Sequence, residues 1–126
     1  MRSKRTIGVV LFEDFELLDV FGPLEMFGMA ADHFEIRLIS EHGGVVASHQ
    51  GPKSVSDDSF ESAPAIDVVL VPGGIGTRRE VDNPVLLDWL QQRTQQAELV
   101  TSVCTGSALM AKAGVLDGVR ATSNKL

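Results

Sequence analysis

The run Ile7-Gly8-Val9-Val10-Leu11-Phe12 carries no polar side chain. A strand with one face in water alternates apolar and polar residues. An unbroken run belongs where both faces are covered, as in a parallel sheet between two helix layers. Ile66 to Val71, apolar apart from Asp67, reads as a second such strand, and the segment from Leu99 to Val103 as a third.

Helical patterns lie between them. Leu17, Leu18, Phe21, Leu24 and Phe27 recur at helical spacing, which predicts a helix over Phe15 to Ala30 with Asp14 as its cap. Pro23 falls inside it and has no N–H for the carbonyl of Asp19, so the backbone is expected to bend there. Phe34 to Ser40 reads as a strand. Val45–Ser48 and Lys53–Val55 flank Gln50-Gly51-Pro52 as a short hairpin. Asp57 to Ala65 reads as irregular, anchored by Phe60. Asn83 and Pro84 open a helix running to about Gln95. A helix over Ser107–Ala113 stops at Gly114, Asp117-Gly118 makes a turn, and Val119 to Thr122 starts another strand.

Strands alternating with helices predict an α/β fold, a mostly parallel sheet with helices on both faces. A length of 126 residues, 44% of them hydrophobic, predicts one domain over 1–126. The sequence halts as a strand begins, so a domain cut short at its C-terminus is expected. The net charge of −6 and the absence of a basic stripe argue against nucleic acid or an anionic membrane as partner. The basic start, Met1 to Arg5, is followed by too short an apolar run for a secretion signal. A cytoplasmic location is expected.

The chemistry points to Leu99-Val100-Thr101-Ser102-Val103-Cys104-Thr105-Gly106-Ser107, a strand, a tight turn and a helix start. The single cysteine sits in the turn. A lone cysteine has two readings: a small buried hydrophobe, or a nucleophile pushed out at a strand's carboxyl end. In the second reading the helix start stabilises the thiolate, and the sulfur is expected to be ionised at neutral pH.

Two other places converge on the same rim of the sheet. Pro72-Gly73-Gly74 follows a strand; its glycines either make a positive-φ turn or leave a bare N–H that joins the Thr105 N–H as an oxyanion site. Asp19 is either an exposed helical carboxylate or a group facing Cys104. In the second case repulsion and desolvation would raise its pKa, fitting it for acid–base work. His33, His42 and His49 all precede Cys104 without metal-ligand spacing, so no metal is expected and a Cys-His protease dyad is hard to build.

Taken together, Gly8 to Phe12, Leu18-Asp19-Val20-Phe21-Gly22-Pro23, Val71-Pro72-Gly73-Gly74, Thr101 to Ser107 and Arg120-Ala121-Thr122 resemble the ThiJ/PfpI family of the class I glutamine-amidotransferase-like superfamily. The likeness is strongest to its isocyanide hydratase branch. The resemblance implies a flavodoxin-like three-layer sandwich, a homodimer, a small-molecule substrate and no cofactor. It implies Cys104 as nucleophile, Asp19 as the catalytic carboxylate, Thr105 as its companion, and the N–H groups of Gly74 and Thr105 as donors. Peptidase-like members place histidine after the cysteine, where this chain has Thr105. The hydratase branch has histidine at the position of Asn124.

The implied reaction is water addition to an isocyanide, giving an N-substituted formamide through a cysteine thioimidate. The same resemblance extends to the ligand-sensing domains of AraC-type transcriptional regulators, a non-catalytic alternative. A deglycase-like or oxidation-sensing protein is a third reading, although that group places a histidine beside its thiol.

Overall fold

The computed structural model of the chain describes residues 4–114 and the backbone of 122–124. Six strands form one sheet: β1 (Arg5–Leu11), β2 (Phe34–Ser40), β5 (Asp58–Ser59), β6 (Val68–Val71), β7 (Leu99–Val103) and β8 (Thr122–Asn124). Their order is β5-β2-β1-β6-β7-β8, and every pairing in it is parallel. A separate antiparallel hairpin is made by β3 (Gly44–Ala47) and β4 (Lys53–Ser56). The helices are α1 (Leu17–Gly28), α2 (Thr77–Glu80), α3 (Pro84–Gln96) and α4 (Gly106–Lys112).

The apolar runs sit at the centre of the sheet, as their composition requires. Ile7, Val9, Val10 and Leu11 of β1 and Val69, Leu70 and Val71 of β6 are all buried. Burying each such side chain contributes about 1.5–3 kcal/mol, more than a typical net hydrogen bond, so these two strands fix the sheet. The second run becomes a strand only from Val68, because Asp67 precedes it and its carboxylate accepts the Thr6 N–H at 2.8 Å.

Chain order steps from β1 to β2 on one side of the sheet and resumes at β6 on the other. Right-handed crossovers then place α1 on one face and α3 and α4 on the opposite face. This is the flavodoxin-like arrangement. Its crevice opens at the carboxyl ends of the strands, where the order reverses direction.

The first helix starts later than its spacing predicts. Asp14 adopts φ 65° instead of capping it, and Phe15 pairs with Ser48 in an isolated bridge. The competing partners come from the hairpin: the Asp14 N–H donates to the Ala47 carbonyl and the His49 N–H to the Phe15 carbonyl, both at 2.9 Å. Tertiary pairing overrides the local helical pattern here. Pro23 does lie inside α1.

Asn83 caps α3 as expected, its side chain accepting the Val85 N–H at 3.1 Å. Phe60 anchors its segment by stacking on Trp89, with centroids 4.4 Å apart, and its carbonyl takes the Trp89 indole N–H. Helix α2 has no counterpart among the sequence-based expectations. The turn at Asp117-Gly118 and the strand start at Val119 lie outside the described residues. No helix among the described residues is long and apolar enough to cross a membrane.

Candidate active site

Three strand ends supply the site. After β7 the chain turns at Cys104, which holds φ 49°. Left-handed backbone at a residue with a Cβ costs about 1–2 kcal/mol, and it is the turn that pushes a side chain off the end of a strand. Helix α4 begins two residues later, closely applied to the end of β6. A Cβ on Gly106 would collide with the carbonyl oxygens of Val71 and Pro72. Gly106→Ala is therefore expected to destabilise the protein by about 3 kcal/mol, the upper end for overpacking. A shift in the urea midpoint would measure it.

Asp19 lies in the first turn of α1 and is buried, not exposed as a helical aspartate ordinarily is. Its two oxygens have different partners. Oδ2 accepts the Gly73 N–H at 3.0 Å, and Oδ1 faces the Cys104 thiol at 3.9 Å. The Gly73 peptide also holds the other end of the turn, its carbonyl accepting the Glu16 N–H at 2.9 Å. A side chain at Gly73 has no room, since a Cβ would come within 2.9 Å of Asp19 Oδ2 and 2.8 Å of Thr105 N.

The glycine loop differs from the sequence-based expectation in one respect. The Gly74 N–H is not bare but donates to Thr105 Oγ1 at 3.0 Å. Gly74 has φ 127°, one of the positive-φ glycines, and a Cβ there would strike the backbone of 14–16. The Thr105 N–H has no acceptor among the described residues and lies beside Gly73.

An open cavity of about 750 Å³ contains Asp19, Gly74, Cys104 and Thr105. Leu18, Ile75, Val81 and Ala108 form its apolar wall, and Glu16 and Arg78 stand at its edge. No histidine lines it.

Burial pushes the Asp19 carboxyl up from its ordinary value, and the Glu16 carboxylate adds to the rise; the Gly73 and Cys104 hydrogen bonds pull against it. Burial also pushes the Cys104 thiol up, reinforced by Asp19 and Glu16. This shift runs against the direction expected for a sulfur ionised at neutral pH. Helix α4, whose start favours the thiolate, is only seven residues long. The Cys104 sulfur and Asp19 Oδ1 face each other at 3.9 Å, and each group gives up its proton less readily than usual.

Cys104, Asp19, Thr105 and Gly74 are therefore brought together, although Gly74 reaches the site through the Thr105 hydroxyl. Sequence reasoning missed Glu16 and the Gly73 clamp on Asp19. Only the fold places them there; no local spacing marks them.

The sequence profile of the DJ-1/PfpI family matches residues 5–126. The chain is 36% identical over 118 residues to the isonitrile hydratase of Pseudomonas putida, covering 94% of this chain and 51% of that protein. It is 32% identical over 122 residues to the HTH-type transcriptional regulator GbdR of Pseudomonas aeruginosa, covering 93% of this chain and 33% of that one. The fold superposes on a ThiJ/PfpI family protein from Pseudomonas syringae with a TM-score of 0.84 at 28% identity, covering 90% of this chain and 47% of that chain. This chain thus spans about half the length of the hydratase and a third of the regulator.

Proposed function

The chain belongs to the DJ-1/PfpI family, and from that premise we propose that it is the catalytic part of a cysteine-dependent isocyanide hydratase. The observation that carries this reading is the Cys104 thiol 3.9 Å from a buried carboxylate whose other oxygen is clamped by the Gly73 N–H. The 36% identity to an isonitrile hydratase supports this choice of reaction.

The chemistry needs no second titrating group. As sulfur attacks the terminal carbon of R–N≡C, Asp19 takes the thiol proton. Asp19 then delivers that proton to the same carbon, giving the thioimidate R–N=CH–S–Cys104. The freed carboxylate next activates water, which adds to the carbon while the nitrogen is protonated. Breaking the C–S bond releases R–NH–CHO, and the proton left over returns through Asp19 to sulfur. One proton store thus serves as base and acid in turn. The Thr105 N–H donates to the developing oxyanion, and Gly74 orients the Thr105 hydroxyl. No cofactor enters the scheme.

The apolar wall favours an uncharged substituent on the isocyanide. Ile75→Ser is expected to raise KM for a bulky alkyl isocyanide about tenfold, the usual value of a small apolar contact. Turnover at saturation and the KM for methyl isocyanide should change little. Steady-state kinetics on the two substrates would check this.

A ligand-sensing domain is the second reading, favoured by the match to GbdR across 93% of this chain. In that case the full-length protein would bind a small molecule in the same cavity without consuming it. Formamide release by the purified full-length protein separates the two. The homodimer is proposed on family grounds alone, and light scattering tests it.

A further inference from the structure

The segment that carries Asp19 into the site is suspended between two supports. One is the Gly73 peptide. The other is the tip of the β3–β4 hairpin, remote in sequence and contributing nothing to the cavity wall. There the Gln50 side chain makes two hydrogen bonds at once. Its Oε1 accepts the Leu17 N–H, at the start of α1, at 3.2 Å, and its Nε2 donates to Glu16 Oε1 at 2.7 Å. A single amide thus satisfies an unpaired amide of the helix start and fixes a carboxylate at the edge of the cavity. α1 has no side-chain cap of its own.

We propose that Gln50 is a positioning residue that sets the start of α1 and holds the Glu16 carboxylate at the mouth of the cavity shared by Cys104 and Asp19. The proposal rests on that pair as the reactive centre, and deepens the reading above by naming what controls its proton. A carboxylate fixed at that edge opposes the ionisation of both groups, in the direction found for each. The proton then stays on the pair, available to the substrate carbon. The other charged group at the cavity is Arg78 of α2; Arg79 turns away to Glu80, Asp14 and the Glu13 carbonyl. Helix α4 lines the cavity with Ala108 and adds no charge.

Cys104 is the only cysteine of these 126 residues, and its alkylation by iodoacetamide against pH, followed by mass on the Cys104 peptide, reads the site without using an isocyanide. In the full-length protein, Glu16→Gln should move the alkylation midpoint to lower pH. Gln50→Met should move it in the same direction. The double variant should match Glu16→Gln alone, because Gln50 acts through Glu16. The exchange Glu16→Gln/Gln50→Glu rebuilds both hydrogen bonds but moves the charge to position 50. It should keep the lowered midpoint with a Tm near that of the unmodified protein, and it decides the matter if Gln50→Met does not fold. A Gln50→Met midpoint equal to that of the parent, or shifts that add in the double variant, or an exchange variant with the parent midpoint would overturn the proposal. A protein that fails to hydrate isocyanides but shows these shifts refutes the hydratase reading and leaves Gln50 in its role.

Discussion

Cys104→Ala is expected to lower isocyanide hydration at least about 10⁴-fold, to the level that a nucleophile's removal leaves in enzymes whose groups act as a unit. No neighbouring side chain can substitute: the described cavity offers no second thiol and no histidine, and the remaining carboxylates are weak nucleophiles toward an isocyanide carbon. Fold loss does not confound the test. Cys104 is held at φ 49°, so Cys104→Gly should lose the same activity while gaining about 1–2 kcal/mol of stability by relieving the left-handed backbone. Activity and the urea midpoint would then move in opposite directions at one position. Formamide release followed by chromatography gives the first, and chemical unfolding the second.

Asp19→Asn should reduce turnover about 10²–10⁴-fold, the range for a positioned acid–base group, and should do so while making Cys104 more reactive. The carboxylate raises the thiol's pKa by charge and by hydrogen bond. The amide removes both effects, so alkylation at neutral pH quickens as turnover falls. Stability shifts as well. The Asp19 carboxyl is raised in the folded state, so the stability it lends is full below the unfolded carboxylate pKa and is lost as pH rises through the folded one. At pH 7 the buried carboxylate is a net burden. Asp19→Asn should therefore have a higher Tm than the parent at pH 7, with the advantage vanishing in acid. The parent's own pH–rate profile should be bell-shaped, since activity needs one proton on the pair. Its acid limb should lie above the ordinary carboxylate range, and its alkaline limb above the ordinary thiol.

The centre of the sheet was legible because burial on both faces leaves an unbroken apolar run: Ile7 to Leu11 of β1 lie within it, although the strand itself begins at Arg5. Asn83-Pro84 was legible because cap and first-turn chemistry are local. The turn at Cys104 was legible from a strand ending in Cys-Thr-Gly. What could not be read depends on partners distant in sequence. Asp14 and Phe15 look helical but are claimed by Ala47, Ser48 and His49 of the hairpin. The Gly74 N–H looks free until the Thr105 hydroxyl is placed beside it. The helix start beside the sulfur is visible in the sequence, whereas the burial, Asp19 and Glu16, which push the thiol pKa up, arrive only with the fold.

These predictions share one physical basis, a cysteine held at φ 49° with its sulfur 3.9 Å from a buried carboxyl group. Sulfur attack leaves a distinctive trace. The full-length protein would be mixed with a slowly turned-over alkyl isocyanide, quenched in acid, digested and weighed. The expected result is an added mass of one whole isocyanide on the Cys104 peptide, which disappears as formamide appears. Formamide formed without that adduct, and at an undiminished rate in Cys104→Ala, would contradict it.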